Sequence, residues 1–475
     1  MTVRRPQDGA LAIVLHSHMP YVEGFGTWPF GEEWLWEAVA CVYLPLLDVL
    51  DGRPVTLGLT PVLCDQFETM RGDPGERFVR FLREVRAPIH AEDAAGLDGA
   101  GEPLLAAEVR RAATDYSDAE RAFENRGRDL LAAFGGLDGV ELWTSAATHG
   151  LLPLMATDAG VRLQVATGTA AHLRRFGDWS GGFWLPECAY VPGLERELAD
   201  HGVRAFCVDQ TGVDEFDHLT PVATGVGPVA VPIDWESVEL VWCDERGYPA
   251  HGTYRNYWGR TVHDLKPWSN AGEPYDHAAA LALTRAHARD FVERAAVKLD
   301  QGGLLCVALD TELLGHWWYE GLHWLRAVFE EADAQGVRLV TVSEGVEAAE
   351  PVANALAPST WGRGKDFTTW DSPAVAEMAF RARAAELRTV AAVATHGSPH
   401  SALERAAREL LALQSSDWSF MVTRDLAADY PDERMRLHAS SLDAALAALT
   451  DSATAPEPSL RGLAPDLDLS PLTTP

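Results

Sequence analysis

The chain has 475 residues, 47% hydrophobic and 23% charged, a composition with room for one large core and an appended domain. Seventy acidic against 39 basic residues give a formal charge of -31, a surface that repels nucleic acid and anionic membranes and tolerates a neutral substrate. The six cysteines, Cys41, Cys64, Cys188, Cys207, Cys243 and Cys306, form no C-x-x-C pair, which argues against zinc-knuckle and thioredoxin-like motifs and suits a reducing compartment.

The N-terminus, MTVRRPQDGALAIVLH, carries too short an apolar run for a signal peptide and reads as a first strand. No segment has the length and apolarity of a membrane span. A cytoplasmic location is expected.

Short apolar runs bounded by turn residues follow in order: Leu11 to Leu15, Val55 to Leu59, Val140 to Trp143, Gly182 to Leu185, Ala205 to Val208, Leu304 to Leu309 and Val337 to Val342. Each fits a buried strand, and helical segments lie between them. The alternation predicts an α/β fold, a parallel barrel whose chemistry sits at the C-terminal ends of its strands. Polar residues follow the runs accordingly: His16 and His18, Asp65, His149, Glu187, Asp310 and Glu344.

Residues 72–135, rich in Ala, Arg, Glu and Leu, read as a helical insertion within a catalytic unit spanning 1–350. PVANALAPST (351–360) reads as a linker. The stretch 361–450 is helical, with 3.6-residue spacing in SALERAARELLALQ, and predicts a C-terminal α-helical domain. The Pro-, Ser-, Thr- and Asp-rich residues 452–475 read as a disordered tail.

Sixteen tryptophans are unusual. An indole face stacks on the C–H face of a sugar ring, and Trp28, Trp268, Trp361 and Trp370 lie in Gly-, Pro- or Asp-rich loop contexts. In WLPECAY (Trp184 to Tyr190), Glu187 sits just past an apolar strand. In LLCVALDTELLGHWWYEG (Leu304 to Gly321), Asp310 ends six apolar residues, and Glu312 and His316 follow beside Trp317, Trp318 and Tyr319. Carboxyl groups in such surroundings acquire raised pKa values, which suits a general acid. Two carboxylates at different strand ends are the minimum for glycoside chemistry. The H-x-H of LHSHMP leaves two alternatives. The histidines bond sugar hydroxyls, or they hold a metal with ligands from His149, Asp310 and His316, as in barrel hydrolases.

Taken together, LHSHMPYV, WPFGEEWL, GLTPVLCDQF, ATHGLLPL, GGFWLPECAYVPGLE, DTELLGHWWYEG, LVTVSEG and QSSDWSF resemble glycoside hydrolase family 57, in particular its branching members. The resemblance spans most of residues 11–440. It implies a (β/α)7 barrel with a helical insertion and a C-terminal helical domain. It implies Glu187 as nucleophile and Asp310 as acid/base, with no cofactor and no metal. Substrate contacts are implied for His16, His18, Trp28, His149, Arg255, Trp268, Gly272, His316, Trp361, Trp370 and Asp417. The implied substrate is an α-1,4-glucan such as amylose or a glycogen-like polymer, bound by a monomer or weak homo-oligomer. The implied reaction cleaves α-1,4 bonds and forms α-1,6 branches. The alternatives are a hydrolytic α-amylase or 4-α-glucanotransferase of the same family, or a metal-dependent hydrolase. Branching members usually carry a Tyr at the tip of a long loop after the nucleophile strand, where it helps exclude water. Here no Tyr occurs between Tyr190 and Tyr248, and Asp209-Gln210-Thr211 stands where D-T-H is usual. Branching accompanied by appreciable hydrolysis is therefore expected, with residues 210–240 as a covering loop.

Overall fold

The computed structural model describes residues 9–27, 30–213, 218–397, 400–450 and 457–473. Ten strands occur among them: β1 (Ala10–Ser17), β2 (Val55–Leu59), β3 (Val140–Ser145), β4 (Gly182–Trp184), β5 (Ala205–Asp209), β6 (Val222–Ala223), β7 (Val229–Ile233), β8 (Leu304–Asp310), β9 (Leu339–Val340) and β10 (Val352–Ala353). β1, β2, β3, β4, β5, β7 and β8 pair in parallel, and β8 returns to β1 to close a seven-stranded barrel. β1 is buried along its whole length, as its near-continuous apolar run requires of a strand covered on both faces.

One barrel strand differs from the sequence expectation. Val337 to Val342 is not a stave: only Leu339 and Val340 pair, with Leu11 and Ala12 at the start of β1, and a helix begins at Val342. The seventh stave is β7, in a segment expected to be a covering loop. Pro232 masks it in the sequence, because proline withholds a ladder N–H, yet Pro232 pairs in register with Val208. Its continuation, Trp235–Trp242, is a helix. Asp65 and Glu344, which also follow apolar runs, are structural. Arg175 donates to Asp65 Oδ1 at 2.5 Å, and Glu344 closes a capping box with Thr341.

Helices fill the connection between β2 and β3, the longest being Ala87–Gly99 and Pro103–Asn125. At the other end of the chain, helices Ala376–His396, Ser401–Leu413, Asp417–Thr423 and Tyr430–Ala447 share a second apolar core. Leu403, Ala406, Ala407, Leu410 and Leu411, at helical spacing, form its buried stripe.

The expected disordered tail is corrected over its described part. Leu460, Leu463, Leu469 and Leu472 are buried in that second core, and Ala464 N donates to Asp65 Oδ2 at 2.7 Å. Five leucines between 460 and 472 give an otherwise polar segment enough apolar surface to dock. Residues 451–456 and 474–475 lie outside the described residues.

Candidate active site

The C-terminal ends of β1, β3, β4 and β8 meet one edge of the helical domain. β1 and β8 run in register so that His16 lies opposite Asp310. β4 leads into a single turn, Pro186–Cys188, in which Glu187 adopts φ +60° and ψ +21°. His149, after β3, also has φ +59°. With Cys188 at φ +49° in the same turn, left-handed backbone at three non-glycine residues in one site is strain held by surrounding contacts. Those contacts come from the C-terminal region. Trp361 N donates to Glu187 O at 2.9 Å, Ser416 N donates to His149 O at 3.1 Å, and Gly150 bridges to Ser415.

The Glu187 carboxylate is held at both oxygens. Trp361 Nε1 donates to Oε2 at 3.0 Å, and Ser416 Oγ donates to Oε1 at 2.9 Å. Burial raises the pKa of Glu187, and these two donors oppose that rise. Asp310 is pushed well above the ordinary carboxylate range, by desolvation first and then by Glu312, Glu187 and Asp417. Both carboxyls are raised by burial, but two donors hold the Glu187 rise down while neighbouring carboxylates push Asp310 further up, the kind of separation that nucleophile and acid roles require.

Beside them His18, His149, His16 and Trp184 form a stack. Ring centroids are 4.1 Å apart for His18 and His149, 4.9 Å for His149 and His16, and 4.5 Å for His16 and Trp184. Burial and the neighbouring histidines hold His16 and His149 neutral. His18 behaves oppositely: burial works against its charged form, yet Asp417, 2.8 Å from Nε2, raises it. Its other nitrogen lies 3.2 Å from Thr60 Oγ1. Glu312, capped by His18 N at 3.0 Å and by the Tyr43 hydroxyl, is raised to about 7 by burial.

Residues 12–231 match the family described as glycosyl hydrolase family 57, and residues 379–465 match the 1,4-α-glucan branching enzyme C-terminal family. A probable 1,4-α-glucan branching enzyme of Mycobacterium tuberculosis (strain CDC 1551 / Oshkosh) is 33% identical over 490 residues, covering 92% of each chain. The chain belongs to glycosyl hydrolase family 57. A 1,4-α-glucan branching enzyme of Thermococcus kodakarensis is 31% identical over 506 residues, 90% of this chain and 72% of that one. The crystal structure of a GH57-type branching enzyme from Pyrococcus horikoshii superposes with a TM-score of 0.91 at 29% identity, covering 98% and 96% of the two chains.

Within this family 57 site, His16, His18, His149, Trp361 and Asp417 converge on Glu187 and Asp310. Other expected contacts lie elsewhere. Arg255 is ion-paired with Glu108 and its guanidinium lies 3.6 Å from the Tyr319 ring centroid, in the joint between insertion and barrel. Trp268 and Gly272 belong to the same loop, where Asn256 N donates to Trp268 O at 2.9 Å and Gly272 turns at φ +82°. His316 lies 5.6 Å from Trp317 and 6.2 Å from Tyr257, centroid to centroid. Trp370, expected as a sugar platform, is corrected: it is 3% exposed and packs with Leu151 and Ala189. Its ring lies where a side chain on Gly362 would be, 2.8 Å from that site, so it supports the turn beside Trp361. Trp28 lies outside the described residues. Sequence reasoning missed Ser416, Tyr43 and Thr60. Ser416 is the neighbour of Asp417 in QSSDWSF; nothing in the sequence signals Tyr43, which ends a π-helical turn, Val39–Tyr43, inside an apolar helical stretch.

Proposed function

We propose that this chain is a retaining 1,4-α-glucan branching enzyme acting in the cytoplasm, with Glu187 as nucleophile and Asp310 as acid/base. The carrying observation is the contrast between a Glu187 carboxyl that accepts hydrogen bonds from Trp361 and Ser416 and an Asp310 carboxyl crowded by other carboxylates. An α-1,4-glucan binds across the barrel mouth. Asp310 gives its proton to the glycosidic oxygen as that bond breaks, and Glu187 bonds to the anomeric carbon. The 6-hydroxyl of a second glucan then attacks that carbon. Asp310 takes the hydroxyl proton, Glu187 leaves as carboxylate, and an α-1,6 branch with net retention results. The histidine stack and Trp361 offer the sugar ring polar edges and an aromatic face.

A metal-dependent reading has one observation in its favour: ligand atoms of His18, His149 and Asp417 lie within 4.8 Å of one another. The His18 and Asp417 atoms are engaged otherwise. His18 is hydrogen-bonded at both nitrogens, and the Asp417 carboxylate favours the protonated form of His18, which competes with metal ligation. Incubation with amylose, counting α-1,6 linkages against new reducing ends, tests the proposal. Reducing ends without α-1,6 linkages would make the chain a hydrolytic family member.

A further inference from the structure

The helical insertion carries no residue of the catalytic pair, yet it is bolted to the loop between Tyr248 and Tyr275 at several points. Asp93 receives the Thr261 hydroxyl and lies 2.5 Å from His263 Nδ1. Glu108 pairs with Arg255. Leu265 packs with Ala94 and Val109. So much fixation of one loop needs an explanation in what the loop presents.

It presents Trp258, which is 71% exposed. Asn256 Oδ1 accepts from Trp258 N at 2.7 Å and Gly259 N at 2.6 Å, so the backbone is fixed while the ring faces water. Tyr257 lies 5.1 Å from it and 4.5 Å from Trp317, centroid to centroid. Trp317 is 45% exposed, whereas its neighbour Trp318 is 2% exposed; burying the second indole turns the first outward. Lys266 Nζ lies 3.9 Å over the Tyr257 ring, and His316 stands beside both Tyr257 and Trp317.

We propose that Trp258, Tyr257 and Trp317 form an aromatic rail for an α-glucan chain extending out of the barrel mouth. The inference rests on the glucan reading of the active site. Continuity with that site supports it: Trp317 N donates to Glu312 O at 3.4 Å, and the Glu312 carboxylate accepts from His18 N. The rings, with Tyr257 between Trp258 and Trp317 in the contact series, lie among charged residues (Arg260, Asp264 and Lys266), with Val262 the other exposed apolar side chain of the loop, a narrow surface that suits a thin amphipathic ligand better than a protein partner. Pyranose C–H groups meet the electron-rich ring faces. His316, kept neutral with its pKa at about 3 by burial, Lys266 and Arg260, has one donor and one acceptor for hydroxyls. The insertion is then the rail's mounting.

The test is retention in amylose-containing native gels, with maltotriose binding by calorimetry, on the turnover-defective Glu187→Gln protein. Adding Trp258→Ala is expected to weaken amylose affinity about tenfold, equivalent to ~1.4 kcal/mol, with maltotriose affinity changed less than about twofold, equivalent to ~0.4 kcal/mol. Trp258→Phe is expected to restore most of the retention. Equal amylose retention in all three proteins overturns the rail alone. Failure of Glu187→Gln itself to bind any glucan overturns the parent reading and the rail with it. A Trp258→Ala effect on sedimentation of the free protein, with amylose retention unchanged, makes the surface a contact between copies and also overturns the rail.

Discussion

Ser416 Oγ lies 2.9 Å from Glu187 Oε1 and 2.9 Å from His149 Nδ1, so the helical domain places one hydroxyl between a barrel carboxylate and a barrel imidazole. With Glu187 ionised the hydroxyl donates to it, and His149 Nδ1–H donates to the hydroxyl. Ser416→Ala removes a donor that stabilises the anion. A hydrogen bond to a charged group contributes about 1.5–3 kcal/mol, so kcat/KM is expected to fall roughly 10- to 100-fold. The sign follows: Ser416 lowers the Glu187 pKa, so its loss moves the acidic limb of the pH–rate profile to higher pH. An unmoved limb with reduced rate would assign Ser416 a purely structural part.

Glu187→Gln keeps the shape of the side chain and loses its nucleophilicity. Turnover on amylose is expected to drop by several orders of magnitude while glucan binding persists. Near-normal activity in this variant removes the nucleophile assignment.

Glu312 is the first charge among those that raise Asp310. Glu312→Gln can still accept from His18 N and the Tyr43 hydroxyl, but it removes the negative charge. Asp310 then gives up its proton at lower pH. The alkaline limb, where the acid is lost, is expected to move to lower pH, while the acidic limb changes less. A shift to higher pH would show that Glu312 does not act on Asp310 by charge.

Dialysis against EDTA is expected to leave branching activity intact, because both chemical roles fall to carboxylates. Loss of activity with recovery on adding Zn²⁺ would transfer the His18, His149 and Asp417 group to a metal reading.

Legibility in the sequence followed physical signal strength. Barrel staves with uninterrupted apolar runs, such as Leu304 to Leu309, are readable because burial on both faces demands them. β7 is hidden by Pro232, and Leu339–Val340 looks like a stave because its apolar run continues into a helix. Glu187 and Asp310 stand out because each ends such a run. Ser416, Tyr43 and Thr60 do not, since each acts through a contact across long sequence distance that no local pattern encodes. Trp370 shows the converse: a loop-like context suggested exposure, but Gly362 leaves room for the indole to pack inward.

The balance of transfer against hydrolysis turns on what covers the glycosyl-enzyme. Water is present at about 55 M, yet a well-oriented acceptor hydroxyl can act at an effective concentration of about 10⁵ M or more. Bound acceptor therefore wins wherever it is held, and water wins where the cover gapes. The segment after β5 supplies little cover of the expected kind, because 229–242 is committed to β7 and its helix. The wild type is expected to make α-1,6 linkages together with measurable reducing ends. Trp370 acts beneath this cover: it packs against Gly362, next to Trp361, whose indole holds Glu187. Trp370→Ala leaves a cavity there, costs about 3–5 kcal/mol of stability, and loosens the Trp361 turn, so the product ratio should move toward reducing ends. Trp370→Phe fills most of that space and should move it less. Parallel assays of both products, with thermal unfolding of each variant, decide the matter. A lowered Tm with an unchanged product ratio would show that the Trp361 turn keeps its place without the indole below it, and that the cover lies elsewhere.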